Sequence, residues 1–187
     1  MPPKTKYTKE LIIENGFELV RREGIDALTA RSLGDKLGCS PQPIFSCFEN
    51  MEEVKREIKS KATELYINRL DEEMKKEMPF KRAGMAYIRF AKEEPKLFHL
   101  LFLQKSEGTP IRNYLQKNDP NYKNILSALM KSHNMSESEA DEIYSHISVY
   151  TYGFAMLFYQ GAEIFTLEEV EQKLTEMFHI LKRKEQK

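Results

Sequence analysis

The fold is decided by residues 12–54, which read IIENGFELVRREGIDALTARSLGDKLGCSPQPIFSCFENMEEV. Gly24 and Gly38 stand where helices would end, because glycine adopts the left-handed backbone of a helix C-terminus without strain. Ser40 followed by Pro41 predicts the start of a further short helix, with serine as the N-cap and proline at the first helical position. Three short helices joined by tight turns are typical of a helix-turn-helix.

The apolar residues of this stretch are spaced to bury the crossing of the three helices. Thr8 precedes the first helix, whose inner face is predicted to carry Ile13, Phe17 and Val20. Thr29 is the predicted N-cap of the second helix. The predicted core of the three-helix unit consists of Phe17, Val20, Leu28, Leu33, Leu37, Ile44 and Phe48.

Cap residues and prolines divide the rest of the chain into longer helices. Asn50 with Glu53 forms a capping-box pattern for a fourth helix, which we expect to reach Met78 before Pro79 stops it. Five more helices are expected at residues 80–92, 95–103, 120–133, 137–161 and 167–184, with residues 104–118 partly in a loop. The chain is therefore expected to be all-α, with about nine helices in two domains. These are a three-helix helix-turn-helix domain over residues 1–50 and a C-terminal helical bundle over residues 51–187.

The composition of the 187 residues is that of a globular protein, because 41% are hydrophobic and 31% are charged. Acidic and basic residues balance at 29 each, so the chain has no overall basic field that would attract nucleic acid. We expect a cytoplasmic protein without membrane contact, since there is no signal-peptide core and no apolar stretch of about 20 residues. The sequence also has no nucleophile elbow, phosphate-binding glycine loop or His-Glu-x-x-His motif, so we expect neither an enzyme nor a cofactor or metal.

Spaced residues of the helix-turn-helix stretch carry a resemblance to a known family. The matching positions are Phe17, Gly24, Thr29, Arg31, Leu37, Gly38, Ser40, Ile44, Phe45, Phe48, Asn50, Glu52 and Glu53. In these positions the stretch resembles the DNA-binding head of the TetR family of transcriptional regulators. The resemblance implies a dimer that represses transcription from a palindromic operator. It also implies a small ligand whose binding moves the long fourth helix and changes the spacing of the two heads.

Three positions depart from the pattern of the family. The family usually has Tyr at the position of Phe45, His at that of Cys47 and Lys at that of Met51, and those side chains often contact the DNA backbone. Phosphate contacts dominate the affinity of DNA-binding proteins and make it salt-dependent. Residues 40–48 contain no Lys or Arg, and the first 48 residues hold seven basic and six acidic side chains, a net charge of +1. DNA binding is implied by the resemblance and is weakened by this chemistry.

Eleven residues of the head are candidates for contact with DNA. Gln42 is the expected base reader, because its amide can form two hydrogen bonds with adenine. Thr29 and Arg31, at the start of the second helix, are expected near a phosphate, whereas Thr29 and Ser40 could instead serve only as helix caps and Phe45 could simply pack. The three N-terminal lysines are expected to form a flexible basic arm. The predicted DNA contacts are Lys4, Lys6, Lys9, Thr29, Arg31, Ser40, Gln42, Pro43, Phe45, Ser46 and Cys47.

The last two helices carry apolar residues at heptad-like spacing, and the first of them is apolar nearly all round. Such a helix must be covered on two sides, so we expect a two-fold four-helix interface with a second copy of the chain. A monomer that wraps this helix completely is the alternative. The predicted dimer contacts are Ile143, Ile147, Tyr150, Phe154, Leu157, Leu167, Val170, Leu174, Met177 and Leu181.

The middle of the chain is rich in aromatic residues and methionine. Pockets between bundle helices are common ligand sites, and methionine and aromatic walls adapt to varied shapes, so we expect a pocket for a small apolar or aromatic effector. Ordinary core packing is the alternative for any one of these residues. The predicted ligand contacts are Tyr66, Tyr87, Phe90, Phe98, Phe102, Tyr122, Met130, Tyr152 and Met156.

These features predict a ligand-responsive repressor that binds a double-stranded DNA operator as a homodimer. The alternative is a protein-interaction module whose relic helix-turn-helix binds DNA weakly or not at all. Cys47 adds a further hypothesis, because its oxidation would switch DNA binding if the thiol faced the DNA. The simpler interpretation of Cys47 is a small thiol that fills space.

Overall fold

Nine α-helices make up the part of the chain that the computed structural model describes, residues 7–103, 122–162 and 164–184. They are α1 (Lys9–Glu23), α2 (Ala30–Leu37), α3 (Gln42–Cys47), α4 (Met51–Met74), α5 (Pro79–Glu93), α6 (Pro95–Phe102), α7 (Tyr122–His133), α8 (Glu137–Tyr159) and α9 (Leu167–Lys184). A short 3-10 helix at Ile25–Ala27 links α1 to α2. These residues contain no strand, so the expected all-α class is confirmed. The described residues do not include Lys4 and Lys6. They also do not include the loop and the helix start that the sequence predicts within residues 104–121.

Side-chain caps begin several helices where the sequence predicts them. The Thr8 hydroxyl accepts a hydrogen bond from the Leu11 amide at 3.2 Å and so satisfies one free N–H of the first turn of α1. In a capping box, two residues each accept a hydrogen bond from the other's amide. Three helices open with such a box, formed by Thr29 with Ser32, Ser136 with Glu139 and Thr166 with Glu169.

The inner face of α1 contains two of the three predicted residues, Phe17 and Val20, and Ile12 takes the place of Ile13. Ile12 is fully buried together with Val20, and Phe17 is nearly so, whereas Ile13 is half-buried. The reason is the spacing of the small and apolar residues, since Ile12, Gly16 and Val20 follow one another at intervals of four and form one stripe of the helix.

The start of α3 also differs from the prediction. Ser40 does not cap the helix, which begins at Gln42 with Pro41 as an N-cap that makes no side-chain hydrogen bond. The chain at Cys39 and Ser40 lies against the backbone of Gly34 and therefore still belongs to the turn. Ser40 is exposed to solvent.

The fourth helix is shorter than predicted. It ends at Met74, whereas the sequence suggested Met78. Met78 has the left-handed dihedrals φ 60° and ψ 60°, and Pro79 then begins α5. In a continuous helix the ring of Pro79 would clash with the carbonyl of the residue four positions earlier, Lys75, so the helix ends before it.

The described residues cluster into two compact units. The first comprises residues 7–65 and 96–103, and the second comprises residues 66–95, 122–162 and 164–184. The division therefore falls within α4, which is continuous in sequence across it. The predicted division after residue 50 separates the chain by expected function and stays a prediction.

The first unit has its core at the crossing of its short helices. In this unit α1 packs on α2 and on the 3-10 helix. Six of the seven predicted core residues are buried there, and Leu37 is half-buried. The six are Phe17, Val20, Leu28, Leu33, Ile44 and Phe48.

The second unit is organised around α8. This helix packs along α5 and also contacts α7 and α9, while α5 itself contacts α7 and α9. The fully buried side chains of these helices include Met85, Ile88, Leu129 and Val170. None of the described helices combines the length and the apolar run that crossing a membrane requires.

Candidate functional site

The turn between α2 and α3 is tight because its backbone approaches a glycine. A Cβ atom at Gly34 would lie only 2.8 Å from the Cys39 carbonyl oxygen. Gly38 ends α2 in the left-handed conformation, with φ 68°, and the Cys39 amide donates to the Gly34 carbonyl at 2.9 Å. This Schellman-type hydrogen bond reverses the chain within a few residues and sets α3 against α2.

One face of α3 is presented to solvent and the other is anchored in the core. Ile44 is fully buried, whereas Gln42, Phe45 and Ser46 are exposed, with 48% of the Phe45 surface accessible. These three residues are spaced by three and four positions, so they share one face of the helix. The Ser46 hydroxyl donates to the Gln42 carbonyl at 3.1 Å, which leaves the amide of Gln42 as the most versatile hydrogen-bonding group of this face. Pro43 is half-buried beside it.

Lys9 is not part of a flexible arm, as the sequence suggested, but is the first residue of α1. Its ammonium lies 2.9 Å from the Glu53 carboxylate on α4 and 4.9 Å from the centre of the Phe48 ring. Of the predicted capping box, the Asn50 side chain accepts a hydrogen bond from the Glu53 amide at 2.9 Å, whereas the Glu53 carboxylate accepts one from the Glu49 amide at 2.7 Å instead of from the Asn50 amide. These contacts hold Lys9 beside a carboxylate, so much of its charge is already neutralised in the protein.

The pKa values of this pair reflect the same contact. The pKa of Glu53 is lowered, chiefly by the hydrogen bond from the Glu49 amide and then by the one from Lys9. The hydrogen bond to Glu53 in turn raises the pKa of Lys9. A second ion pair joins the same two helices, between Lys61 of α4 and Glu14 of α1. The position of α1 on α4 is thus held by two cross-links on the surface of the head.

The remaining candidate DNA contacts vary in exposure. Thr29 and Arg31 are exposed at the start of α2, and the Thr29 hydroxyl is engaged as the cap of that helix. Cys47 is half-buried, and its thiol points to the Tyr7 carbonyl oxygen at 3.6 Å. This contact is consistent with the interpretation of Cys47 as a thiol that fills space. The redox role of Cys47 stays a prediction.

A separate candidate site is a cavity of about 330 Å³ in the second unit. It lies between the start of α5, the end of α7, the middle of α8 and the second half of α9. Its lining residues are Met78, Pro79, Phe80, Lys81, Gly84, Ser132, His133, Ile147, Thr151, Leu174, Thr175, Phe178 and His179. The volume lies at the lower end of the range of about 300–1,000 Å³ that is usual for ligand pockets.

The polar groups of this cavity are basic or neutral. The Lys81 ammonium lies 2.8 Å from the Glu171 carboxylate, which is not among the lining residues. The pKa of His133 is lowered, first by burial and then by the charges of Lys182 and His179. His133 is therefore neutral at pH 7 and acts as an aromatic wall.

The nine predicted ligand contacts are described within the unit to which each belongs. Tyr66 meets Tyr87 and Phe90 edge-on in the second unit, at ring-centre distances of 6.4 and 5.2 Å. The Tyr122 hydroxyl donates to Asp141 at 2.6 Å. Phe98 and Phe102 pack on each other in the first unit, and Met130, Tyr152 and Met156 lie elsewhere on α7 and α8. None of the nine lines the cavity described above, and their role in ligand binding stays a prediction.

The predicted dimer contacts divide by burial. Five of them are already buried by the chain itself, namely Ile143, Ile147, Phe154, Val170 and Leu174. Tyr150 is exposed, and Leu157, Leu167, Met177 and Leu181 are half-buried. Three further apolar side chains are exposed on the same two helices, Val149 and Tyr152 on α8 and Ile180 on α9.

The fold has a solved counterpart. The structure is similar to the crystal structure of a TetR-like transcriptional regulator from Rhodococcus sp. RHA1, with a TM-score of 0.65. The similarity covers 89% of this chain and 91% of that one, with 10% sequence identity. No protein-family model and no curated protein matches the sequence. At this identity the similarity shows the fold alone.

Two features of these sites escaped the reasoning from sequence. The close approach at Gly34 was detectable in principle, because a glycine inside a short helix costs stability unless a neighbouring backbone needs the space. The cavity was not detectable, because its lining residues come from four separate helices and none of them forms a local motif.

Proposed function

We propose that this chain is a DNA-binding transcriptional regulator that acts as a homodimer. It binds a palindromic operator, represses transcription, and releases the DNA when a small apolar or aromatic ligand binds. The observation that carries this proposal is the face of α3, where Gln42, Phe45 and Ser46 are exposed on a helix anchored by buried Ile44. A short helix presented in this way after a tight turn fits the major groove of DNA.

The chemistry of this face favours base reading over phosphate binding. The amide of Gln42 can donate to N7 and accept from N6 of adenine only in one orientation, which makes the contact specific for that base. The phenyl ring of Phe45 offers an apolar surface of the kind that contacts a thymine methyl group. Thr29 and Arg31 are expected to contact a phosphate, since both are exposed at the start of α2.

Electrostatics predict a shallow dependence of the affinity on salt. Each phosphate neutralised by a cation contributes about −0.9 to the slope of log K against log salt concentration. Residues 40–48 contain no cation, and Lys9 is already paired with Glu53. We therefore expect fewer released counterions than for a regulator with a basic recognition helix.

Selection of bound genomic DNA by the full-length protein, followed by fluorescence anisotropy, tests the proposal. Gln42→Ala is expected to weaken binding to the selected operator by about tenfold, because one bidentate base contact is worth about 1–3 kcal/mol. Binding to random DNA is expected to stay the same, since it depends on phosphate contacts. Gln172→Ala is the matched control, because Gln172 is exposed on α9 outside the head. An equal loss on specific and random DNA would refute the base-reading role of Gln42.

A protein-interaction module with a relic helix-turn-helix is the second candidate function. The neutral, partly apolar face of α3 favours it, because exposed Phe45 between uncharged residues also suits a protein surface. The same titration decides between the two functions. Absence of any DNA binding at low salt, where electrostatic attraction is strongest, would support the interaction module and overturn the regulator.

A further inference from the structure

We propose that the cavity between α5, α7, α8 and α9 binds a small aromatic compound with one negative charge, and that Lys81 pairs with that charge. The inference rests on the proposed function only in taking this compound as the effector that releases DNA. Binding itself is independent of DNA and can be tested without it. No carboxylate and one ammonium group occur among the described residues that line the cavity.

The walls of the cavity suit a planar ring. The ring of Phe178 lies 6.0 Å from that of Phe80 and 4.7 Å from that of His133, measured between ring centres. Aromatic pairs at such separations attract one another, so a bound ring would extend an existing cluster. Ile147 and Leu174 complete the apolar part of the lining and are buried.

The space for the ring depends on a glycine in α5. A Cβ atom at Gly84 would lie 3.4 Å from the Thr151 hydroxyl and 3.9 Å from the Leu174 side chain. The absence of a side chain at this position therefore leaves room between α5, α8 and α9. Ser132 and His179 are exposed, so solvent reaches the cavity beside them.

The charges around the cavity favour an anion. Lys81 is paired with Glu171, and the nearby charges of Arg82 and Arg89 also act on this carboxylate and help to hold its pKa below the usual range. The Nε of Arg82 is buried without a hydrogen-bond partner. If Lys81 turned to a ligand, the charges of Arg82 and Arg89 would still act on Glu171, although Arg89 also lies 3.4 Å from the Glu73 carboxylate.

The other side of the cavity points to the same sign of charge. Burial and the charge of Lys182 keep His133 neutral, and no described residue of the lining carries a carboxylate. A cationic ligand would meet the Lys81 ammonium at the lining, while the nearby Glu171 carboxylate is engaged in its ion pair with Lys81. A neutral ligand would use the aromatic walls but would leave the Lys81 interaction unused.

Two fluorescent probes with the same ring system separate these possibilities. Anilinonaphthalene sulfonate carries a negative charge, and phenylnaphthylamine is the same framework without it. The full-length protein is expected to bind the anionic probe at least about tenfold more tightly at low salt, the strength of one hydrogen bond to a charged group. Lys81→Met is expected to remove this preference, and Lys81→Arg is expected to keep it.

Two further variants locate the binding. Thr175→Trp places an indole in the cavity from the half-exposed rim and is expected to abolish the binding of both probes. Lys123→Met is the matched control, since Lys123 is an exposed lysine about 14 Å along α7 from Ser132 and is expected to change nothing. Circular dichroism of each variant confirms that it is folded.

Each outcome is decisive. Binding of both probes by Thr175→Trp would show that the probes bind elsewhere and would overturn the site. Equal affinity for the two probes in the unaltered protein, or an equal loss of both in Lys81→Met, would overturn the charge preference. Failure of the proposed function gives a different result from failure of this inference. In that case the anionic probe binds the cavity, but the protein binds no operator DNA.

Discussion

Because Gly34 has no side chain, the turn between α2 and α3 can approach α2 closely. The Cys39 carbonyl oxygen occupies the space that a Cβ atom would need. Gly38, four residues later, is required for a different reason, because its φ of 68° is strained for any residue with a side chain. No atom lies within 4 Å of a Cβ built at Gly38, so only the backbone conformation restricts that position.

Gly34→Ala is expected to destabilise the protein by about 1–3 kcal/mol, the range for forcing extra atoms into a packed site. The neighbour that must move is backbone, which cannot rotate away as a side chain can. Gly38→Ala is expected to cost about 1 kcal/mol through backbone strain alone. Chemical denaturation of the three proteins measures both effects. Unchanged stability of Gly34→Ala would contradict the close approach.

The ion pair of Lys9 and Glu53 predicts a response to acid. The pKa of Glu53 is lowered in the folded protein from an ordinary value of 4.5. The unfolded chain therefore takes up this proton first, and the stability that Glu53 contributes is complete above about pH 4.5 and is lost as the pH falls through its folded pKa.

Glu53→Gln is accordingly expected to be less stable than the unaltered protein at pH 7 and to lose less stability on acidification. Denaturation midpoints measured from neutral pH to about pH 3 test this, because the two curves should converge. Glu52→Gln is the control, since Glu52 is exposed on the same helix and pairs with Lys55, three residues away. Parallel curves for Glu53→Gln and the unaltered protein would rule out the contribution.

Among the helices, α4 is tied to the junction of α5 and α6 by a buried acid. Glu94 is 5% exposed, and its carboxylate lies 2.8 Å from the Arg69 guanidinium of α4. The same guanidinium contacts Glu93 at 3.2 Å. A buried carboxylate needs its cation, because desolvation is costly unless a partner compensates for it.

Arg69→Met is therefore expected to destabilise the protein by about 3 kcal/mol, because it removes the cation beside a buried charge. Glu93→Gln is expected to cost less than about 1 kcal/mol, since Glu93 is largely exposed and water replaces the lost contact. Thermal or chemical unfolding of the two variants compares them directly. A larger effect for Glu93→Gln than for Arg69→Met would contradict this account of the junction.

The element boundaries show how far local sequence reasoning reaches. Caps such as Thr8 and Thr29 were predictable, because each acts on amides within three residues of itself. The start of α3 was not, since it depends on the packing of Cys39 and Ser40 against Gly34. Lys9 was misassigned for the same reason, because its partner Glu53 is 44 residues away in sequence.

For the whole molecule, the exposed apolar residues of α8 and α9 bear on the proposed dimer. Val149 and Tyr150 are 51% and 43% exposed, and Ile180 is exposed on α9. Burial of such side chains against a second copy would stabilise a two-fold interface at about 25 cal/mol per Å² of apolar surface. These exposed residues can lose solvent-accessible surface in a dimer interface. Ile147 and the other predicted contacts that are buried within the chain cannot.

Val149→Glu is expected to convert the dimer into a monomer at micromolar concentration, because it places a charge within an apolar contact. Analytical ultracentrifugation measures the change, and circular dichroism confirms that the fold is retained. Ile164→Glu is the control, since Ile164 is equally apolar and exposed but lies between α8 and α9 rather than on either helix. A dimer that survives Val149→Glu, or an unaltered protein that is a monomer, would exclude this interface.

Local pattern alone was enough to predict the all-α class, several helix caps and most of the core of the three short helices. Each of these depends on residues a few positions apart, whose interactions are set by the geometry of a single helix or turn. The tertiary structure was needed for the rest: the pairing of Lys9 with Glu53, the division of the apolar residues of α8 between core and surface, and the cavity beside Lys81. These features join residues that are far apart in sequence, and their positions follow only from how the helices pack on one another.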